Sequence, residues 1–412
     1  MSASLKTYKT NLRSPSSIDL GDLRKRFSPT FELIAEGNLG REAERIHPHE
    51  QVRLLVDAGF SLIRIPQELG GIGASLQQTF ILLSELAEAD PNVAHIWRNH
   101  LAFVENILYS VPSPTSERWL ERFFDGDFIG GGWTEANNGT FANMQTKLVR
   151  ENEILRLTGR KYYSTGSLFA DWLDVLSEDE EGRLVAALVR RDQDGVELID
   201  DWFGIGQQTT GSGSANYRNA VVDPSDVIPL EDRFSYQTPF YQTSLHAVLT
   251  GISRAARRDV VSALKARKRN YSFAVTRVAS EDPQLLEVIG QISAHVYAAE
   301  GALLRSAKNL DDIATARITG DTNQETKILR NATLELHEAQ LVISEAALQA
   351  TALVFDALGS SGTDSSLGLD RHWRNARTLV SHNPRVYKQR LVGDWYVNAK
   401  DPLSIGLSGQ GA

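Results

Sequence analysis

The chain has 412 residues, 42% hydrophobic and 23% charged, and a net charge of −9. This length and balance suit two or three packed layers or domains around a large core. The negative balance works against broad affinity for nucleic acid or anionic membranes, and the lack of cysteine excludes disulfides, thiolate nucleophiles and Cys-ligated metal centres, so any redox chemistry depends on a cofactor.

The amino terminus up to Ser14 is polar and basic with no apolar signal core, and no uninterrupted apolar run of about 18 residues occurs, so the expected location is cytoplasmic, without a membrane. From about residue 16 to 108 the pattern is helical, with turn signals at Pro66, Gly70, Gly71 and Gly73. Residues 76–89 set Phe80, Leu83, Leu86 and Ala87 at helical spacing and stop at Asp90-Pro91. The following helix carries His95, Trp97, Asn99 and His100, with His95 and Asn99 on one face. His95, Asn99 and His100 are candidate pocket residues, with ordinary packing as the competing reading. His47 and His49 are spaced as in some metal sites, but no third ligand is near and no metal is expected.

Between about residues 128 and 230 short apolar runs alternate with hairpin signals at Glu151-Asn152, 178–182 and Asp194-Gly195. Residues 147–149 and 154–157 read as one strand pair, and 184–189 with 196–199 as a second. From Phe240 onward helical spacing returns. Leu285, Ile289, Ile292, Val296, Ala299 and Leu303 form one line, and Leu334, Leu341, Leu348 and Phe355 recur every seven residues, as in a four-helix bundle. The basic run 254–269 is expected at a subunit contact, and the tail with Trp395 and Tyr396 near the site. The expected fold is mainly α with a β insert: an N-terminal helical domain (1–127), a central antiparallel β-domain (128–235) and a C-terminal four-helix bundle with a tail (236–412).

Several motifs go beyond pattern. Residues 65–73 read Ile-Pro-Gln-Glu-Leu-Gly-Gly-Ile-Gly, residues 133–139 Trp-Thr-Glu-Ala-Asn-Asn-Gly, and residues 162–167 Tyr-Tyr-Ser-Thr-Gly-Ser. A Gly/Ser/Thr-rich stretch follows Trp202, an Arg-Lys-Arg-Asn-Tyr run occupies 267–271, and residues 369–377 read Leu-Asp-Arg-His-Trp-Arg-Asn-Ala-Arg. From about residue 52 to 389 this pattern resembles the acyl-CoA dehydrogenase superfamily. Where most of that family carries Tyr-Glu-Gly, whose carboxylate abstracts a proton alpha to a thioester, this chain has His382-Asn383-Pro384. An amide cannot serve as that base, and an imidazole stands beside it. That combination resembles the flavin monooxygenase branch of the superfamily.

The resemblance implies reduced FMN and O2 reacting to a C4a-hydroperoxyflavin that oxygenates a small organosulfur compound such as dibenzothiophene, a sulfide or a sulfinate. Amine or amino-sugar N-hydroxylation and acyl-CoA dehydrogenation are the alternatives. It implies catalytic roles for His382, Ser164 and Asn138, with cofactor contacts from Trp133, Thr134, Ser164, Thr209, Arg267, Arg269 and Arg377. Substrate contacts would come from His95, Asn99, His100 and Trp202. Ser272 in place of a family glycine, and the altered adenosine loop at 356–362, favour FMN over FAD. No Gly-x-Gly-x-x-Gly nicotinamide site follows a strand, so a separate NAD(P)H:flavin reductase is the expected partner. A homotetramer is implied as well.

Overall fold

A computed structural model describes residues 18–110, 112–135, 144–319 and 322–404. Six helices come first: α1 (Leu20–Ala35), α2 (Asn38–Ala43), α3 (His49–Asp57), α4 (Leu76–Ala89), α5 (Pro91–Tyr109) and α6 (Pro114–Phe124). Local chemistry sets their starts. Ser75 and Gln78 form a capping box on α4. Asp90 then ends α4 and opens α5, its carboxylate accepting from the amides of Asn92 and Val93 while Pro91 fills the first helical position. From Pro91 to Leu108, Arg98 alone is not fully buried. A helix covered on every face lies at the centre of a layered protein.

An eight-stranded sheet follows, made of β1 (Ile129–Gly132), β2 (Lys147–Glu151), β3 (Ile154–Lys161), β4 (Trp172–Glu178), β5 (Leu184–Arg190), β6 (Val196–Ile199), β7 (Ser214–Val222) and β8 (Val227–Pro229). The order is β6-β7-β3-β2-β4-β5-β8, and β1 joins β4 in parallel. The expected β2–β3 hairpin is present, from Lys147↔Thr158 to Glu151↔Ile154. Asn152 and Glu153 take left-handed φ values of 48° and 67°, as a two-residue hairpin loop matching strand twist requires. The second expected pair is corrected: β5 pairs with β4 and β8, whereas β6 pairs with β7. A continuously apolar strand such as β5 does not identify its neighbour, and here β4, buried along nearly its whole length, takes that place.

The C-terminal part consists of α7 (Gln237–Ala266), α8 (Pro283–Thr319), α9 (Thr322–Leu358), α10 (Asp370–His382) and α11 (Arg385–Asn398). Helix α9 packs against α7 and α8, and α7 reaches across to α4 and α5, which fastens the bundle to the N-terminal helices. The line on α8 is buried as expected, except for the partly buried Ile289. On α9 the seven-residue line runs along the edge of the core: Leu334 is buried, and Leu348 and Phe355 pack against buried residues. Leu341, Leu348 and Phe355 are half-buried, while Ala339, Ile343, Ala346, Ala347, Ala350 and Val354 form the core. Small side chains let the long helices approach closely, so the larger ones sit at the margin. By length and composition α9 is apolar enough to cross a membrane, but half of its apolar window is buried in the protein, as befits a core helix. In the basic run, Arg254 pairs with Glu88 and Glu300, and Arg258 with Glu88 and Asp259, so those charges are neutralised within the chain. The tail helix α11 lies along α9, tied by Tyr396–Glu338 and Arg385–Glu345.

Candidate active site

Helix α5, the ends of β1 and β3, the loop before β7, the start of α7 and the α10–α11 turn bring polar side chains together around one recess, or cleft. The central helix supplies its floor. His95 places Nδ1 3.0 Å from Gln207 Oε1, and its ring lies 6.5 Å from that of His382. Arg98, one turn further along, donates from Nη1 to His382 Nε2 at 3.1 Å and lies over the Tyr241 ring at 5.5 Å. Asn99 donates to the Thr165 carbonyl at 2.8 Å, which pins the loop that carries Ser164. A Cβ at Gly131 would lie 2.5 Å from the Asn99 amide nitrogen, so the close passage of β1 over α5 needs glycine there.

Ser164 is 1% exposed, and its hydroxyl has no hydrogen-bond partner among the described residues. The same holds for the Trp133 indole nitrogen, Gln207 Nε2, His95 Nε2 and Arg98 Nε. Buried polar atoms are nearly always paired, so such a group of orphans marks a place for a ligand or water. Two non-glycine residues in left-handed backbone flank the cleft, Tyr163 at φ 59° and Gln207 at φ 54°. Strained backbone of this kind persists where the surroundings enforce it. For Gln207 those surroundings are Asn375 Oδ1, which accepts from its amide at 2.5 Å, and Trp202 Nε1, which donates to its carbonyl at 2.9 Å. Asn375 is in turn held by the buried Glu42 at 2.9 Å.

The cleft's electrostatics are cationic. Nearby carboxylates are engaged: Asp174 with Arg233 at 3.0 Å, Glu135 with Lys161 at 2.9 Å, and Glu42, whose pKa burial raises above its ordinary value, with the Asn375 amide at 2.9 Å. Burial raises the Glu135 carboxyl, but hydrogen bonds from Thr146, the Gln145 amide and Lys161 outweigh this and hold it below its ordinary value. Burial, then Arg98 and His382, push the His95 imidazole well below the usual 6.5. His382 reaches the cleft solvent, yet the protein packed around it and the Arg98 guanidinium also lower its pKa. Since a guanidinium only donates, His382 Nε2 is an acceptor and the ring is neutral. Asn383 is oriented by Gln242, to which it donates at 2.7 Å, while its carbonyl accepts from Gln340 at 2.8 Å.

The remaining expected site residues divide. Trp133 stands between Arg233, 5.2 Å from its ring centre, and Tyr241, 6.0 Å away. Thr134 is exposed next to it, and its carbonyl accepts from the Tyr162 amide. Thr209 is buried, with its amide directed to Asn92. Trp202 buttresses Gln207. Arg377 lies on α10 one turn past Arg374, whose guanidinium donates to the Ile205 carbonyl. His100 is placed differently from expectation. It stacks on Phe128 at 4.9 Å and accepts from the Ile129 amide, a packing role behind the sheet. Arg267 and Arg269 follow the far end of α7, a 30-residue helix about 45 Å long, away from the cleft. Arg267 lies over Tyr271 there. His47 is held by Asp200 at 3.0 Å, beside His49. Asn138 lies outside the described residues. Arg98 and Tyr241 were not singled out in the sequence, although Arg98, three residues after His95, is the one lysine or arginine between Pro91 and Tyr109 and was a usable signal.

Helices, sheet and bundle surround a group of buried polar atoms that have no partners among the described residues. Residues 32–127 match the acyl-CoA dehydrogenase N-terminal domain and residues 243–384 the acyl-CoA dehydrogenase C-terminal domain, together more than half of the chain. The chain belongs to the acyl-CoA dehydrogenase superfamily, in its flavin-dependent monooxygenase branch. It is 27% identical to dibenzothiophene monooxygenase of Mycolicibacterium goodii over 84% of this chain and 86% of that one. It is 28% identical to the probable FMNH2-dependent monooxygenase SfnC of Pseudomonas putida, covering 86% and 89% respectively. FMN-bound TdsC from Paenibacillus sp. A11-2 superposes with a TM-score of 0.82 at 25% identity, over 92% of this chain and 99% of that one.

Proposed function

We propose that this protein is an FMN-dependent monooxygenase that takes reduced FMN from a separate NAD(P)H:flavin reductase and oxygenates a small organosulfur compound in the cytoplasm. The observation that carries the reading is the pairing of Asn383, an amide at the family's base position, with a cleft whose buried hydroxyl, indole and amide groups lack partners. Those groups fit a flavin ring, which presents acceptors along its pyrimidine edge and, at N5, an acceptor when oxidised and a donor when reduced. Bound and reduced, FMN supplies the activation of O2. The chain's own residues then orient the reactants and handle protons: Ser164 as a hydroxyl donor, His382 as a neutral imidazole able to take or return a proton, and Trp133 as a fixed wall. Homotetramer formation fits the exposed apolar side chains on and beside α8, among them Phe273, Leu286 and Tyr297.

The test supplies FMNH2, 18O2 and a panel of sulfides and sulfinates to the purified protein and measures 18O in the product. Incorporation of one labelled atom supports the reading. Unlabelled substrate together with reduction of an electron acceptor by acyl-CoA thioesters would return the chain to dehydrogenase chemistry.

A further inference from the structure

Arg98 is the one residue between Pro91 and Leu108 that is not fully buried, and its Nε is nevertheless shut off from solvent without a partner. Its surroundings among the described residues hold no compensating acid. The contacts recorded for its guanidinium are a neutral imidazole, His382, and the face of Tyr241, and no carboxylate perturbs it. Residues 1–17, 136–143 and 405–412, which lie outside the described residues, contain no aspartate or glutamate; the one acid outside them is Asp321, between α8 and α9 in the chain. The fully buried or nearly buried cations nearby are each matched, Arg64 with Glu105, Arg233 with Asp174 and Lys161 with Glu135, whereas the half-buried Arg98 is not. Removing a cation from water costs several kcal/mol unless an anion answers it. Arg98 stays cationic at neutral pH even though burial lowers its pKa to about 10.

A second observation points the same way. Gln207 is 1% exposed, and its Nε2, an N–H donor, also lacks a partner. Its Oε1 is occupied by His95, one turn before Arg98 on the same helix and with its ring 6.5 Å from that of His382, so the free amide belongs to the same cluster of side chains. An unmatched guanidinium, an unmatched amide donor and the ring of His382 therefore converge.

We infer that Arg98, with Gln207 and His382, forms an anion site that binds the negatively charged head of the substrate, so that the preferred substrates are small organic sulfinates or similar oxyanions and not neutral polycyclic sulfides. This inference rests on the proposed organosulfur reading for the identity of the anion. A guanidinium fork matches two oxygens of a sulfinate, leaving the sulfur lone pair directed into the cleft. Binding adds a negative charge beside His382 and draws a proton onto it.

The experiment is calorimetric titration of the full-length protein with methanesulfinate, with dimethyl sulfone as a neutral analogue of similar size, and with inorganic phosphate. It is run with and without FMN, on the wild type and on the Arg98→Gln and Arg98→Lys variants. Expected results are sulfinate affinity at least tenfold lower in R98Q, partial recovery in R98K, weakening with added salt, and no effect of either variant on the sulfone. Proton uptake, read from the dependence of heat on buffer, accompanies sulfinate binding. Equal sulfinate affinity in wild type and R98Q overturns the site, as does tighter binding of the sulfone or of phosphate. If R98Q does not fold, R98K and the salt series decide alone, because a site without a role for the charge responds to neither. A protein that binds FMN and oxygenates sulfides but ignores R98Q keeps the proposed function and loses the anion site. One that binds sulfinate through Arg98 but not FMN does the reverse.

Discussion

Arg98 Nη1 donates to His382 Nε2 across 3.1 Å, a contact between the central helix and the turn that ends α10. It fixes both the orientation and the neutral state of the imidazole next to Asn383. His382→Ala should therefore leave folding and FMN affinity nearly unchanged while lowering oxygenated product by roughly 100-fold or more, the usual scale for a lost proton-transfer group. Product formation per FMNH2 consumed is the measurement, with FMN fluorescence titration as the control. Equal turnover in the variant rules out a proton-transfer role for His382.

The Ser164 hydroxyl has no partner among the described residues. Ser164→Ala thus removes no hydrogen bond from the fold, and unfolding free energy should change by less than about 1 kcal/mol. Peroxide release per product, followed by a coupled peroxidase assay, should rise. Unchanged coupling would leave Ser164 as a packing residue.

Asp174 on β4 and Arg233 before α7 are almost completely buried, at 1% and 0% side-chain exposure, and their 3.0 Å pair ties the sheet to the bundle. Asp174→Ala leaves the guanidinium buried without its anion, which costs about 3–5 kcal/mol. Urea denaturation should show the loss, and the double variant with Arg233→Met should recover most of it.

His246 and His100 titrate far below an ordinary imidazole, at about 3 and about 4, chiefly because burial disfavours the charged ring. The unfolded chain, with imidazoles near 6.5, takes up protons first on acidification. Stability is complete above about pH 6.5 and declines as pH falls toward the folded values, by up to about 1.4 kcal/mol per pH unit for each group. His246→Leu should flatten that decline between about pH 6.5 and 4.5 in denaturation curves taken across the range; an unchanged slope would mean that other groups govern it.

Gly131→Ala should drive a methyl into the Asn99 amide, 2.5 Å away, and release the Thr165 loop. A loss of about 1–3 kcal/mol is expected, together with weaker FMN binding. Thermal unfolding with and without FMN separates the two effects.

The amino-acid sequence by itself determined the order of helices, sheet and bundle, because helix periodicity, the Asp90-Pro91 stop and the Asn152-Glu153 loop act over a few residues. It also determined which side chain, an amide, occupies position 383, a purely local matter. Only the tertiary structure decided that β5 lies beside β4, that the core face of α9 is centred on small residues with the seven-residue line at its edge, that His100 packs on Phe128, and that Arg98 meets His382. Strand partners, the buried face of a long helix and the company of a charge depend on segments far apart in the chain. The contact between Arg98 and His382 spans 284 positions, and no local pattern records it.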